Sequence, residues 1–117
     1  MLLENQETIK NLFLHEKYHQ VRKLTSKLIS ISPKNAELYS IRGRAFRCQH
    51  FYKKAHEDFM QAYLLEPNSI VLKEDVYQST LDKTFDDLLR QYSDKSKKKQ
   101  TITKIIELIS TAIKINT

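Results

Sequence analysis

The sequence predicts an all-α protein, a solenoid of antiparallel helix pairs with about three repeats and six helices. Three observations predict this class. The 117 residues include one glycine and two prolines, which leaves few turn-forming residues for β-hairpins. Apolar residues recur at helical spacing rather than in the alternation of a strand. The two prolines, Pro33 and Pro67, each follow such an apolar stretch and lie 34 residues apart, which indicates a repeat.

The first repeat, residues 2–35, is identified by its alignment with the second. A shift of 34 places brings residues of similar chemistry together along the whole repeat. The aligned pairs are Leu12 with Phe46, Tyr18 with Tyr52, Val21 with Ala55, Leu28 with Ala62 and Ile31 with Leu65. Few of these letters are identical, so the first repeat is a degenerate copy.

The second repeat, residues 36–69, contains two apolar helical faces. Its apolar residues are Leu38, Ile41, Ala45 and Phe46 in a first helix, and Tyr52, Ala55, Phe59, Ala62, Tyr63 and Leu65 in a second. Asn35 stands where an N-cap belongs, and Pro67 stands where the second helix must end. Helices of about 14 residues are marginal alone, so we expect them to be stabilised by packing on their neighbours.

The third repeat, residues 70–117, is irregular. Its apolar spacing predicts an elongated first helix over residues 70–92, a Lys-rich loop over 93–100 and a second amphipathic helix over 101–115. The ending of the chain echoes the second repeat, because Ala112 aligns with Ala62. Residues 101–116 are therefore interpreted as the displaced second helix of the third repeat, and whether the chain is a piece of a longer array stays open.

An alternative for this repeat remains open. Thr84 and Asp87 have the spacing of a capping box, which would break the helix near residue 83 and leave residues 101–116 as a closing helix. The continuous helix is favoured because the apolar residues keep their period through Lys83.

In the second repeat, small and large residues follow a pattern that runs from Ala36-Glu37-Leu38-Tyr39-Ser40-Ile41-Arg42-Gly43 to Leu65-Glu66-Pro67-Asn68. This pattern resembles the tetratricopeptide repeat (TPR). The resemblance assigns the packing of the repeat to seven residues: Tyr39, Gly43, Phe46, Ala55, Phe59, Ala62 and Pro67. It implies that Gly43 and Ala55 let paired helices approach closely and that Ala62 admits the next repeat. A glycine inside a helix costs about 1 kcal/mol relative to alanine, so it needs such a packing reason.

The first repeat departs from the TPR pattern at two positions. Ile9 stands where a small residue is expected, and Thr25 stands where a large aromatic residue is expected.

The resemblance implies a non-catalytic module or adapter that binds another polypeptide in a concave groove lined by the first helix of each repeat. Placed on this sequence, the groove holds Lys10, Arg44, Arg47, Gln6, Glu37, Ser40, Glu74 and Gln78. Arg44 and Arg47 project from adjacent turns, and Lys10 aligns with Arg44 in the repeat. Because the guanidinium group suits carboxylates, we expect an acidic polypeptide to lie across these three cations.

Many TPR proteins hold the C-terminal carboxylate of a chaperone with two lysines, two asparagines and an arginine. The equivalent positions here are Gln6, Lys10, Ile41, Val71 and Asp75. An isoleucine cannot donate a hydrogen bond and an aspartate repels a carboxylate, so we expect no such clamp. A second function stays open, in which the chain is a structural subunit of an assembly and residues 70–92 and 101–116 form its interface.

No catalytic residue, metal site or cofactor is predicted. His15 and His19 are four residues apart, the spacing of two metal ligands on one helix, but a turn near Glu16–Lys17 is expected to separate them. Cys48 has no histidine at helical spacing and is interpreted as a packing residue. The sequence contains no Gly-rich phosphate loop.

The net charge of +6 permits contact with an acidic protein or with nucleic acid. Lys95, Lys97, Lys98 and Lys99 match a nuclear-import or nucleic-acid patch, but such runs are more often solvated loops. Nucleic acid is not expected as a partner, because the aromatic residues fall on packing positions. With one cysteine and no run of about 18 apolar residues, we expect an intracellular protein of the cytoplasm or nucleus without a membrane span, of open oligomeric state.

Overall fold

The computed structural model describes residues 2–92 and 98–116, and all regular structure in these ranges is α-helical. Six helices follow one another along the chain: α1 (Leu3–Leu14), α2 (Tyr18–Ile31), α3 (Ala36–Cys48), α4 (Tyr52–Leu65), α5 (Ile70–Tyr92) and α6 (Lys98–Asn116). The predicted all-α class with six helices is confirmed for this part of the chain.

The first four helices form two pairs that repeat at an interval of 34 residues. α2 and α4 both have 14 residues and begin 34 places apart, at Tyr18 and Tyr52. α5 begins at Ile70, the same interval after the first residue of α3. The interval between the two prolines therefore equals the interval at which the helix pairs recur.

The turn inside each pair repeats as well. Glu16 and His50, 34 residues apart, have positive φ angles of 57° and 64°. Each lies just after the last turn of a helix, in the left-handed conformation that commonly ends helices. The next residue then donates back to a helical carbonyl, with N–O distances of 2.8 Å from Lys17 and 2.9 Å from Phe51.

The entrance to α3 follows the predicted cap. The side chain of Asn35 accepts a hydrogen bond from the backbone N–H of Glu37 at 3.1 Å, which satisfies one of the unpaired donors at the helix start. α2 ends at Ile31, just before Pro33, and α4 ends at Leu65, just before Pro67. Pro67 itself is exposed.

The core lies among adjacent helices of the first two pairs, where α3 packs against both α2 and α4. One buried cluster joins the pairs through Ile9, Val21, Ile41 and Ala45. A second joins the second pair to the start of α5 through Ala36, Ala62 and Leu72. Ile9 and Thr25, the two departures from the repeat pattern, are both buried, and the Thr25 hydroxyl donates to the carbonyl of Val21 at 2.8 Å.

The contact between α3 and α4 is closest at Gly43. A methyl group added there would lie 3.0 Å from the ring of Phe59, which is fully buried. Ala55 is also buried, whereas Tyr39 and Phe46 are half-buried. The Tyr39 hydroxyl donates to the carbonyl of Pro33 at 2.8 Å and so ties α3 to the turn before it.

A charged group inside the second pair was not anticipated by the sequence patterns. Arg42 on α3 donates two hydrogen bonds to the carboxylate of Asp58 on α4, at 2.8 and 2.7 Å, and a third to the hydroxyl of Ser26 on α2 at 3.2 Å. The hydrogen bonds to Asp58 raise the pKa of Arg42 above its ordinary value. The bidentate pair joins α3 to α4, and the bond to Ser26 adds α2, so Arg42 links three consecutive helices.

α5 is continuous from Ile70 to Tyr92, so the alternative break near residue 83 is wrong. Thr84 lies inside the helix, and its hydroxyl donates to the carbonyl of Thr80 at 2.7 Å instead of capping a new helix. The uninterrupted apolar period predicts this outcome correctly.

α6 begins at Lys98, three residues before the predicted start, so the predicted loop over residues 93–100 is too long. Residues 98–100 contain only Lys and Gln, which are good helix formers, and polarity alone does not break a helix. Lys95 and Lys97 lie outside the described residues.

The chain divides into two compact units, Met1–Ser79 and Thr80–Thr117, with the boundary inside the sequence of α5. The first unit contains the two helix pairs and the start of α5. Among the described residues, no helix combines the length and apolar character needed to cross a membrane.

Candidate functional site

A cleft of about 310 Å³ lies between α1 and α3 in the first unit. Its apolar lining comes from Ile9, Phe13 and Ile41, and its polar lining from Gln6, Lys10, Glu37 and Arg44. The α1 residues fall on one helical face because they are three or four places apart, and the same holds for the α3 residues. The cleft therefore lies between two equivalent helices that both pack against α2.

The polar lining of the cleft carries two cations and one carboxylate. Lys10, Arg44 and Glu37 are all exposed. The guanidinium carbon of Arg44 lies 6.0 Å from the centre of the Phe13 ring, which places the charge over an aromatic face of the lining. An apolar floor thus stands directly beside exposed positive charge.

Arg47 occupies a different environment from Arg44. It is half-buried, and its guanidinium carbon lies 5.2 Å from the centre of the Phe59 ring. Asp75 on α5 is near both arginines. Its partial burial raises the pKa of the Asp75 carboxyl, while the positive charges of Arg47 and Arg44 act in the opposite direction. The two arginines therefore already interact electrostatically with one carboxylate of the protein itself.

Four of the eight predicted groove residues line the cleft: Gln6, Lys10, Glu37 and Arg44. The other four do not line it. Arg47 and Ser40 are half-buried on α3, and Glu74 and Gln78 are exposed on α5. The candidate site is consequently narrower than the predicted groove and is formed by α1 and α3 alone.

Cys48 does not pack in the interior, so its interpretation as a packing residue is wrong. It is the last residue of α3 and is exposed, as is Leu14 at the corresponding end of α1. Its thiol lies near the Tyr18 hydroxyl. The pKa of Tyr18 is raised by desolvation and by this neighbouring thiol.

The histidines behave as predicted where the sequence made a prediction. His15 and His19 are both exposed, and the turn at residues 15–16 separates them. Across residues 2–92 and 98–116, no group of three or more His, Cys, Asp or Glu side chains is placed to hold a metal ion. His56 has a role that spacing does not reveal: its ring bonds to the buried Ser79 hydroxyl at 2.8 Å and so joins α4 to α5.

An aromatic cluster with two cations was also missed. The rings of Phe46 and Phe51 pack edge to face with centres 6.3 Å apart. Arg22 lies over them at 4.9 and 5.4 Å, and Lys54 lies over them at 5.8 and 5.7 Å. In the sequence, the one indication of this cluster was Phe51, just before α4. The contact with Arg22 depends on the packing of α2, which the sequence pattern does not give.

Fold and site together define an all-α protein of repeated helix pairs that carries an apolar cleft with a cationic rim. In comparisons with family models, curated proteins and solved structures, none matches this chain. The candidate function consequently rests on the geometry of the cleft and on the resemblance in the sequence.

Proposed function

We propose that this chain is a non-catalytic protein-interaction module of the TPR type, an adapter that holds a segment of another polypeptide in the cleft between α1 and α3. The observation that carries the proposal is the juxtaposition in that cleft of an apolar lining with the exposed cations of Lys10 and Arg44. The 34-residue recurrence of helix pairs supports the TPR assignment.

The chemistry of the cleft indicates what the bound segment contains. An apolar side chain fills the space over the buried Ile9 and Ile41 and covers the half-buried ring of Phe13, which is the part of the apolar lining that is otherwise in contact with water. A carboxylate beside it pairs with Arg44 or Lys10 at the rim. A volume of about 310 Å³ is at the lower end of the range for ligand sites, which suits one or two side chains of a peptide.

Two features argue against other partners. Ile41 is 5% exposed and Asp75 is half-buried beside the arginines, so the carboxylate clamp of chaperone-binding TPR proteins is not available. Phe51 is 46% exposed, but Arg22 and Lys54 lie over its ring at 5.4 and 5.7 Å, where they compete with a stacked nucleic-acid base. We therefore propose a protein partner and no nucleic acid. The proposal also includes no cofactor and a place in the cytoplasm or nucleus.

The test is a charge-swap binding experiment. One set of amidated peptides, each about ten residues long, carries a leucine or phenylalanine among acidic residues, and a second set has lysine in place of every acidic residue. The wild-type chain should bind the acidic set, and added salt should weaken the complex because the ion pairs are exposed. The double variant Lys10→Glu, Arg44→Glu, which reverses both cations of the cleft, should lose at least about tenfold in affinity for the acidic set and gain affinity for the lysine set.

The matched control is the double variant Lys23→Glu, Lys27→Glu. Both lysines are exposed on α2 and neither lines the cleft, so the net charge changes equally without altering the site. Binding should be almost unchanged in the control. Equal losses in the two double variants would mean that only net charge matters, and the cleft assignment would have to be abandoned.

A second candidate function is a structural subunit of a larger assembly that uses residues 70–92 and 101–116 as its interface. The observation that favours it is the exposure of large apolar side chains near the end of the chain, among them Leu89 on α5 and Ile106 on α6, at 57% and 59%.

A further inference from the structure

The charged residues of the α1–α3 cleft are sorted by sign along its length. α1 and α3 are each joined to α2 by a short turn and pack against it, so both run antiparallel to α2 and in the same direction. On α3, Arg44 follows Glu37 by two helical turns, which is roughly 10 Å along the axis. Both side chains line the cleft, so the negative and the positive charge lie on one helical face but at different ends of the cleft.

The residues of α1 continue this sorting. Lys10 is the eighth residue of α1 and Arg44 the ninth of α3, so the two cations stand at nearly the same level. Gln6 lies one turn nearer to the end that holds Glu37. The guanidinium carbon of Arg44 lies 6.0 Å from the centre of the Phe13 ring, and Phe13 is further along α1 than Lys10. The positive charge is therefore held at the end of the cleft away from Glu37.

The charges at both ends are accessible to a ligand. Lys10, Glu37 and Arg44 are all exposed, and within residues 2–92 and 98–116 no ion pair joins Glu37 to either cation. The floor between the two ends is apolar, with Ile9 and Ile41 both buried. A ligand that lies along the cleft consequently meets a carboxylate, an apolar floor and two cations in that order.

We infer that the segment held in the cleft carries charges of both signs: a basic side chain beside Glu37, an apolar side chain over the floor, and a carboxylate beside Lys10 and Arg44. The inference rests on the proposed function and specifies the sequence of the partner segment. An extended peptide advances about 3.3 Å per residue, so charges roughly 10 Å apart belong to residues about three places apart. A segment that is acidic throughout would set one of its carboxylates against Glu37, which the cleft would disfavour.

The net charge of the chain makes this preference a sharp one to test. At +6, the general electrostatic attraction of the chain is strongest for the most acidic peptide. A preference for a peptide with fewer negative charges therefore requires a carboxylate at the site itself.

The test compares three acetylated and amidated peptides with the same central leucine by fluorescence anisotropy. One peptide has glutamate on both sides of the leucine. The other two, the mixed peptides, have lysine in place of the glutamates on one side, N-terminal in one and C-terminal in the other, so that both directions of binding are covered. The wild-type chain should bind one mixed peptide at least about threefold more tightly than the acidic peptide. In Glu37→Lys the order should reverse, with the acidic peptide bound most tightly.

The matched control is Glu57→Lys. Glu57 is exposed on α4 and does not line the cleft, so the net charge changes equally and the wild-type order of the peptides should be kept. Glu37 also lies in the first turn of α3, where a carboxylate stabilises the start of the helix. Loss of that role alone would weaken all three peptides by the same factor and could not reverse their order.

Three results would overturn the inference: an acidic peptide that binds the wild-type chain at least as tightly as both mixed peptides, an order unchanged in Glu37→Lys, or the same reversal in Glu57→Lys. If the acidic peptide binds and is weakened in the Lys10→Glu, Arg44→Glu chain while neither mixed peptide binds more tightly, the proposed function stands and only the mixed segment is refuted. If none of the three peptides binds, the proposed function fails and this inference fails with it.

Discussion

Gly43 offers the sharpest test of how the helix pairs are held together. In the change Gly43→Ala, two effects of opposite sign compete. Alanine stabilises the interior of α3 by about 1 kcal/mol relative to glycine. The new methyl group, however, would lie 3.0, 3.1 and 3.2 Å from three carbons of the Phe59 ring, closer than the roughly 3.5–4.0 Å at which carbon atoms attract.

The ring cannot withdraw easily, because Phe59 is completely buried and Arg47 lies over it. Overpacking of this kind costs about 1–3 kcal/mol. After the gain of about 1 kcal/mol from helix propensity is subtracted, Gly43→Ala should lower the free energy of unfolding by about 1 kcal/mol. In a Phe59→Leu background the three ring carbons are gone. The same alanine should then raise the free energy of unfolding by up to about 1 kcal/mol.

The assay is a double-mutant cycle from urea titrations followed by circular dichroism. The coupling between the two positions should be about 2 kcal/mol, well above the error of additivity at distant sites. If alanine at position 43 stabilises the chain equally with phenylalanine or leucine at position 59, the close approach of α3 to the ring does not limit the packing, and the reasoning fails.

Three further changes test other parts of the structure. Asp58→Ala leaves Arg42 without its bidentate partner in a half-buried place, so urea titration should show a loss of about 2–3 kcal/mol. Thr84→Ala replaces a threonine inside the continuous α5 by a better helix former, so thermal unfolding should show a gain of a few tenths of a kcal/mol. Asp75→Asn removes a carboxylate whose pKa is raised by burial, so the variant should be the more stable chain at neutral pH and should also bind acidic peptides more tightly.

Each of these predictions has a clear opposite. An Asp58→Ala chain with wild-type stability would mean that the ion pair is solvated in solution. A loss of about 1 kcal/mol from Thr84→Ala would mean that Thr84 caps a helix, as in the alternative interpretation with a break near residue 83. For Asp75 the sign follows from linkage: a raised folded-state pKa means that the ionised form opposes folding, so the advantage of asparagine must disappear as pH falls through that pKa. An advantage that grew toward acid pH would contradict the assignment.

Helix number and order could be predicted from the sequence because they depend on local information. Apolar spacing located α5 to the residue, and the interval between Pro33 and Pro67 located the ends of α2 and α4. Local information was not enough for the loop before α6. A run of lysines fits a loop and an exposed helical turn equally well, so the end of the loop was placed too late.

The candidate site could be predicted only in part, because it depends on which helices touch. Gln6, Lys10, Glu37 and Arg44 come together because Ile9 and Ile41 belong to one buried cluster with Val21 of α2, which no spacing rule specifies. The pairing of Arg42 with Asp58 is likewise a property of the packed α3 and α4. On α6 the pattern correctly predicted an apolar helix, but it could not show which part of a broad apolar surface would be covered.

The proposed cleft is tested most directly by nuclear magnetic resonance titration of the full chain with the acidic peptide that binds best. Amide shifts should change along α1 and α3, around Lys10, Phe13, Ile41 and Arg44, and the shifts should vanish in the Lys10→Glu, Arg44→Glu chain. Shifts confined to α6, or spread evenly over every exposed lysine, would contradict a partner site between α1 and α3.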